Sequence, residues 1–399
     1  MKILQLCSKA PFPPADGGSM AMHALTQGLL DLNVKVKVVV ISTPKHPFNP
    51  ASLPKEYVNL TQAEAAEVDT RIKPADAFRN LFSKKSYNIE RFYSKGFDAL
   101  LIRILKSESF DIIQLETLFV TPYLETIRKF SKAKIVLRAH NVEYRIWERR
   151  AENTSNPALK WYISLLAKRL KAYEVKRLNS YDAIAVITDE DATEFKKESC
   201  TIPIITIPFG INVQKLKIDR SIKEEFPSCF HLGAMNWEPN IEGVNWLLNT
   251  VWKKNEEPEI KLYLAGRYMP AAFTQLNRKN IFVVGEVKSQ FEFMQSKGIM
   301  LVPLLSAGGM RIKIIEGMMI GKTIISTSVG AEGIPCEHKK NILIANTPQE
   351  FRDCINLCIT QPELYKRIGK NAQQLVRERF DSIKISRNLL NFYQELLRR

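Results

Sequence analysis

Residues 300–335, MLVPLLSAGGMRIKIIEGMMIGKTIISTSVGAEGIP, constrain the fold more tightly than any other stretch. The apolar run 301–305 predicts a short strand, which Ser306-Ala307-Gly308-Gly309 breaks. Over 310–319 the apolar residues Ile312, Ile315 and Met319 fall at helical spacing, with Arg311, Lys313 and Glu316 between them. Gly321 stands where a left-handed residue commonly ends a helix. Residues 323–328 are short and β-branched, as in a buried parallel strand. Strand, glycine turn, helix and strand in that order belong to an α/β sheet.

Glycines at the carboxyl end of a strand, opening a helix, present backbone N–H groups and the positive end of the helix dipole to an anion. Arg311 and Lys313 place two cations in the predicted first turn, where they oppose that dipole. An anion between them removes the conflict, and Glu316 follows less than two turns on. Anion plus carboxylate suits the diphosphate and ribose of a nucleotide sugar. An ordinary strand–turn–helix with a solvated basic face fits the spacing equally well.

The same residues resemble the donor-site signature of GT-B glycosyltransferases of the large retaining family 4, the group 1 glycosyltransferases. That signature has a Glu, seven residues, and a second Glu on this turn and helix. The second matches Glu316, which the resemblance makes the ribose ligand. The first falls on Gly308, so the family's sugar-binding carboxylate is absent. GGMRIKIIEGMMIGKTIISTSVGAEGI instead resembles a subgroup with a glycine-rich turn followed by Arg-x-Lys. Donor-binding roles pass by resemblance to Gly308, Gly309, Met310, Arg311 and Lys313.

At 399 residues two domains are expected rather than one core. The six cysteines form no CxxC or Cys/His spacing; Cys354 and Cys358 share a helical face, a packing arrangement, and reduced thiols are expected. No Asp-x-Asp motif appears, and neither a metal nor a cofactor is expected. The net charge of +16 calls for an anionic partner or reflects a basic background. Zinc-finger and RNP motifs and aromatic–basic ladders are missing, so no nucleic acid is expected, and an anionic membrane surface or acceptor fits better. Met1-Lys2 runs into a strand without a signal peptide, and no run reaches the about 18 apolar residues of a membrane helix. A cytoplasmic protein, peripheral on the membrane's inner face, is expected.

In the first half, residues 2–6 and 34–42 predict strands flanking a Pro-rich loop, Gly17-Gly18 and a helix that Ser19 is placed to cap. The glycine spacing is not that of a dinucleotide fingerprint. A flexible turn accounts for the pair; the resemblance gives Gly17 and Gly18 a place facing the donor phosphate. Residues 43–75 are polar with little periodicity. Residues 78–106 hold seven basic and two acidic residues with six aromatics (Phe78, Phe82, Tyr87, Phe92, Tyr93, Phe97). That composition suits an interfacial surface or a helical insertion whose aromatics pack inward. Strands at 111–115 and 133–138 end at Glu116 and just before His140. A histidine past a strand end suits an α/β cleft, and the resemblance sets His140 against the transferred sugar as the catalytic candidate. Residues 142–177 predict a basic helical region broken near Asn156-Pro157, followed by strands at 181–188 and 203–207.

In the second half, strands are expected at 229–233, 261–265, 281–284 and 341–345, and helix over 362–399. The loop after Gly233 lacks the basic pair that many relatives carry there, which shifts weight onto Arg311 and Lys313. Arg267 is a further phosphate candidate. The resemblance gives Gly285 and Val287 the nucleobase.

The expected fold is α/β, GT-B: two Rossmann-like domains facing across a cleft, at 1–213 on the acceptor side and 214–379 on the donor side, with a C-terminal helix at 380–399 crossing back. The implied reaction moves a sugar from a nucleoside-diphosphate sugar to an acceptor hydroxyl with retention. The acceptor is a glycan or lipid-linked group in cell-surface assembly. A GT-B sugar-nucleotide epimerase, a catalytically silent GT-B subunit and a basic nucleic-acid-binding protein are the alternatives.

Overall fold

The computed structural model describes residues 1–14, 16–213, 219, 221–253, 260–306 and 309–399. The chain forms two compact units, Met1–Gly210 with Ser382–Arg399, and Ile211–Asp381. The expected domain start at 214 lies outside the described residues.

The first unit is built on a parallel sheet of seven strands: β1 (Lys2–Cys7), β2 (Lys35–Ser42), β3 (Glu64–Glu67), β4 (Ile112–Glu116), β5 (Lys134–Ala139), β6 (Ala183–Val186) and β7 (Ile204–Thr206), in the order β3-β2-β1-β4-β5-β6-β7. Alternate residues feed two cores. Leu4, Leu6, Leu115 and Leu137 pack on one face, and Ile3, Val38, Ile112 and Val136 on the other. The second face is covered by the helix Gly17–Asp31 and the C-terminal helix Ser382–Arg398, which supplies Ile385, Leu389, Tyr393 and Leu396. These helices touch at Gly28, where a Cβ would overlap the Ser386 hydroxyl.

Three local readings are revised, and the expected break near Asn156-Pro157 is present. The helix after β1 starts at Gly17 rather than at Ser19, because Asp16 is the N-cap: its carboxylate accepts from Ser19 N, and the Ser19 hydroxyl accepts from Asp16 N. The stretch 43–75 is not irregular throughout but holds the helix Lys55–Thr61 and edge strand β3. Glu-Ala-Ala-Glu has low strand propensity, and pairing with β2 extends it. Within 78–106 the aromatics divide: Phe97 and Tyr87 are buried and Phe92 packs on the core, whereas Phe78 is 63% exposed, Phe82 82% and Tyr93 47%. The basic helical region is two helices, Glu143–Glu152 and Pro157–Arg177, with Asn156 capping the second.

The second unit is a parallel sheet of six strands: β8 (Glu225–Leu232), β9 (Lys261–Ala265), β10 (Ile281–Gly285), β11 (Lys297–Val302), β12 (Ile324–Ser326) and β13 (Leu343–Ile344), in the order β10-β9-β8-β11-β12-β13. Cys229, Leu262, Leu264, Ile299, Leu301 and Ile325 share one core with Trp252 and Phe351. The helix after β11 is Ile312–Met319. It ends as expected at Gly321 (φ +79°), where Gly321 N donates to Met318 O at 3.0 Å and Lys322 N to Gly317 O at 3.0 Å. Strand order reverses between β1 and β4 in one unit and between β8 and β11 in the other. Ligands of open α/β sheets bind outside the carboxyl ends of strands at such points.

Candidate functional site

In the second unit the carboxyl edge of the sheet is lined by glycines. Gly233 follows β8, Gly266 (φ +147°) follows β9, and Gly285 (φ +72°) ends β10. A Cβ at Gly266 would overlap the Gly233 carbonyl. Backbone bonds join the three loops: Gly266 N to Gly285 O at 2.7 Å, Gly233 N to Ala265 O at 3.0 Å, and Met235 N to Arg267 O at 2.9 Å. Arg267 itself is exposed, and Val287 is half-buried in the loop after β10.

The turn after β11 revises the picture of two solvated cations. Gly308 lies outside the described residues; Gly309 has φ +79° and Met310 is half-buried. Arg311 is not in the first helical turn but is the N-cap residue, 5% exposed. Its guanidinium folds back onto the Gly309 carbonyl, lies 3.4 Å from the Val329 carbonyl and faces Glu332 at 3.9 Å. Lys313 is partly buried; its Nζ donates to Asn240 Oδ1 at 2.9 Å and approaches Leu232 O at 3.4 Å. Burial, then the Arg311 charge, push this ammonium down to about 7. These two residues are therefore no solvated basic face. Asn240 also donates to Ala234 O at 2.9 Å, tying the β8 loop to Lys313. Glu316 is buried, and its Oε1 accepts from Gln290 Nε2 at 3.0 Å while burial raises the carboxyl to about 7. Its Oε2 makes no hydrogen bond to a described residue. Asn240 and Gln290 escaped the sequence reading, since nothing local marks a polar residue that meets another 73 or 26 positions away.

In the first unit, Gly17 and Gly18 are the first two helical residues after β1, beside the strand-order reversal. Lys9 Nζ lies 2.8 Å from where a Gly18 Cβ would stand and pairs with the Asp16 carboxylate at 2.6 Å. His140 follows β5, as expected. Its partner is Glu116, the fully buried last residue of β4, whose Oε2 lies 2.7 Å from His140 Nε2. Burial raises the Glu116 carboxyl, but the His140 hydrogen bond, the Arg138 charge and Gln5 together hold it below its usual value. Burial lowers the imidazole more than Glu116 raises it. A neutral histidine thus meets a carboxylate. Gly17, Gly18 and His140 belong to this unit, and Arg267, Gly285, Val287, Gly309, Met310, Arg311, Lys313 and Glu316 to the other.

The family described as Glycosyl transferases group 1 matches residues 227–361. The second unit carries a group 1 glycosyltransferase domain. A protein of Klebsiella pneumoniae, described as an uncharacterized 44.6 kDa protein in cps region, is 23% identical over 96% of this chain and 97% of its own length. The crystal structure of Anabaena HepE in complex with UDP superposes with a TM-score of 0.69 at 14% identity, covering 99% of this chain and all of that one. Sucrose-phosphate synthase from Thermosynechococcus elongatus gives 0.70 at 13% identity, covering 99% of both chains. At these identities the likeness establishes the GT-B fold: two Rossmann-like domains, each on a parallel sheet. Among the described residues no three His, Cys, Asp or Glu side chains group as a metal site, and no helix is long and apolar enough to cross a membrane.

Proposed function

We propose that this chain transfers a sugar, with retention and without a metal ion, from a nucleoside diphosphate to an acceptor hydroxyl in cell-surface glycan or glycolipid assembly at the cytoplasmic face of the membrane. The observation that carries it is the gathering of Arg311, Lys313 and Glu316 on one turn and helix at the strand-order reversal, inside the group 1 match. Arg311, Lys313 and the backbone of Gly309 and Met310 hold the diphosphate, with Arg267 as a further contact. Glu316 Oε2 takes a ribose hydroxyl, Gly285 and Val287 border the base, and His140 attends the sugar. Negative charge builds on the diphosphate as its bond to the sugar breaks. Fixed cations and N–H groups stabilise that charge more in the transition state than in the ground state. The acceptor is a glycan or lipid-linked group, and the nucleotide bound by HepE makes UDP-sugars the first donors to test.

Titration calorimetry with UDP and UDP-sugars tests the donor assignment. Saturable binding is expected, weakened about thirtyfold by Arg311→Ala, as loss of a charge-assisted contact of about 2 kcal/mol implies. Unchanged binding by that variant overturns the assignment. Conversion of the donor sugar without an acceptor would instead favour an epimerase. Donor binding with no turnover would favour a silent subunit, to which the missing carboxylate at Gly308 lends support.

A further inference from the structure

The sheet face covered by the C-terminal helix carries a polar row in an otherwise apolar core. Gln5 and Gln114 stand in register on β1 and β4, and Glu116 and Arg138 in the next same-facing row on β4 and β5. All four are buried. Such groups are costly when left without a partner; Gln5, Gln114 and Glu116 bond within the row, whereas Arg138 Nε makes no hydrogen bond to a described residue and lies against Glu116 as an ion pair.

Its hydrogen bonds run in one direction. Tyr393 OH, from the C-terminal helix, donates to Gln114 Oε1 at 2.6 Å. That turns the Gln114 amide nitrogen toward Glu116 Oε1, to which it donates. Gln5 Nε2 donates to the same carboxylate oxygen at 2.7 Å, and Gln5 Oε1 faces the Thr26 hydroxyl at 2.7 Å, whose one proton it shares with the Met22 carbonyl at 2.8 Å. Arg138 Nε adds its charge 3.5 Å from Oε2. Glu116 is thus surrounded by donors, the setting of a carboxylate and not of a carboxylic acid. A carboxylate has no proton to give, so across the 2.7 Å contact His140 Nε2 must donate. Nδ1 is left as the acceptor nitrogen, and it makes no hydrogen bond to a described residue.

We propose that this donor chain is a tautomer lock: Tyr393, through Gln114 and Glu116, keeps the single proton of His140 on Nε2 and presents Nδ1 to a sugar hydroxyl. Only the last clause rests on the proposed function. Tyr393, Gln114 and Glu116 are positioning residues, and the C-terminal helix thereby sets the chemistry of a side chain it does not touch. Removal of the tyrosine hydroxyl frees the Gln114 amide to turn its carbonyl toward Glu116. The proton on Nε2 can then pass to Glu116, whose carboxylic acid donates back to the bare Nε2, while Nδ1 takes up one proton from solvent and becomes a donor, with the wrong polarity for the same hydroxyl.

The other ionisable groups around the pair are Arg138, Cys7, Tyr393 and Lys9. Burial raises the Cys7 thiol and the Tyr393 phenol, so both stay protonated near neutrality. Glu143, on the following helix, is raised by burial to about 7 and titrates in the same range. The histidine must therefore be followed by its own resonance. Nitrogen NMR of the full chain with labelled histidine, His140 assigned by His140→Gln, reads the tautomer directly between about pH 6 and 9. The Nε2–H form is expected for the unsubstituted protein. A mixture of tautomers is expected for Tyr393→Phe and for Glu116→Gln. Tyr393→Phe should also lower kcat about tenfold while leaving the UDP dissociation constant unchanged. An Nδ1–H tautomer in the unsubstituted protein, or an unaltered tautomer in folded Tyr393→Phe, overturns the lock. Normal turnover by His140→Ala with the tautomer as described would refute the sugar-side role and leave the lock standing.

Discussion

Lys313 and Glu316 sit one turn apart on the same helix with opposite charges, and both titrate near 7. Burial is the largest cause of both shifts, disfavouring whichever form is charged, and the Arg311 charge lowers the lysine further. In the free protein Lys313 is increasingly neutral above about pH 7, and Glu316 increasingly protonated below it. A bound diphosphate favours the ammonium, and ribose hydroxyls donating to Oε2 favour the carboxylate. Binding therefore takes up a proton at the lysine on the alkaline side and releases one at the glutamate on the acid side. A nucleotide sugar, whose diphosphate does not titrate here, is expected to bind best near pH 7 and more weakly in both directions. Lys313→Met should flatten the alkaline limb and Glu316→Gln the acid limb. Calorimetry in buffers of different ionisation enthalpy measures both proton counts; affinity flat from about pH 6 to 9 would refute these assignments.

Among the helices, Glu143–Glu152 depends on a neighbour for its start. Its N-cap, Val142, has no side-chain acceptor, so Glu174 of the helix Pro157–Arg177 reaches over and accepts from Glu143 N at 3.2 Å and Tyr144 N at 3.0 Å. Glu174 and Glu143 are both buried. Burial, then the charge of Glu143, raise Glu174 to about 8, and burial raises Glu143 to about 7. Carboxyls whose folded values lie above the unfolded value of about 4.3 contribute most below that pH, and the contribution is lost as pH rises through 7 to 8. Thermal stability is therefore expected to decline between about pH 5 and 8.5. Glu174→Gln keeps an acceptor without the charge and should lessen that decline, overtaking the unsubstituted protein above about pH 8. Glu174→Ala leaves two N–H groups unmet and should be less stable throughout, by about 1–3 kcal/mol. Calorimetric melting across that range decides; an unchanged slope in Glu174→Gln would place the pH dependence elsewhere.

For the whole molecule, the strong positive charge is partly spent inside the fold. Arg169, on the long basic helix, donates to Asn80 O, Asn80 Oδ1 and Leu81 O and so clamps the helix Pro74–Leu81. At the surface, Lys85 pairs with Glu90 and Arg103 with Glu64. The exposed Phe78 and Phe82 stand on and just past the clamped helix. Aromatic groups beside cations suit an anionic lipid surface, each basic residue contributing about 1 kcal/mol. Co-sedimentation with anionic vesicles is expected, weakening with salt and reduced in Phe78→Ala with Phe82→Ala. Equal, negligible binding to neutral and anionic vesicles at low salt would leave these residues an ordinary solvated face.

What the sequence determined by itself is local. The strand–turn–helix–strand of 300–335, the break at Asn156-Pro157 and the helix end at Gly321 follow from spacing, capping and backbone freedom within a few residues. The positions of His140 just past a strand end and of Glu316 on the helix after β11 were legible for the same reason. Only the tertiary structure decided what those side chains meet. Glu116 reads as the end of a strand until β4 lies beside β5 and sets it against His140. Tyr393 reads as one more apolar helix position until it meets Gln114 across 279 residues. Arg311 and Lys313 look like surface cations until Gly309, Asn240 and the β8 loop enclose them. β3 became a strand only by pairing with β2. Burial and pairing are properties of residues far apart in the chain, and they decide which charges stay on, which nitrogen carries the proton and which basic residues reach the surface.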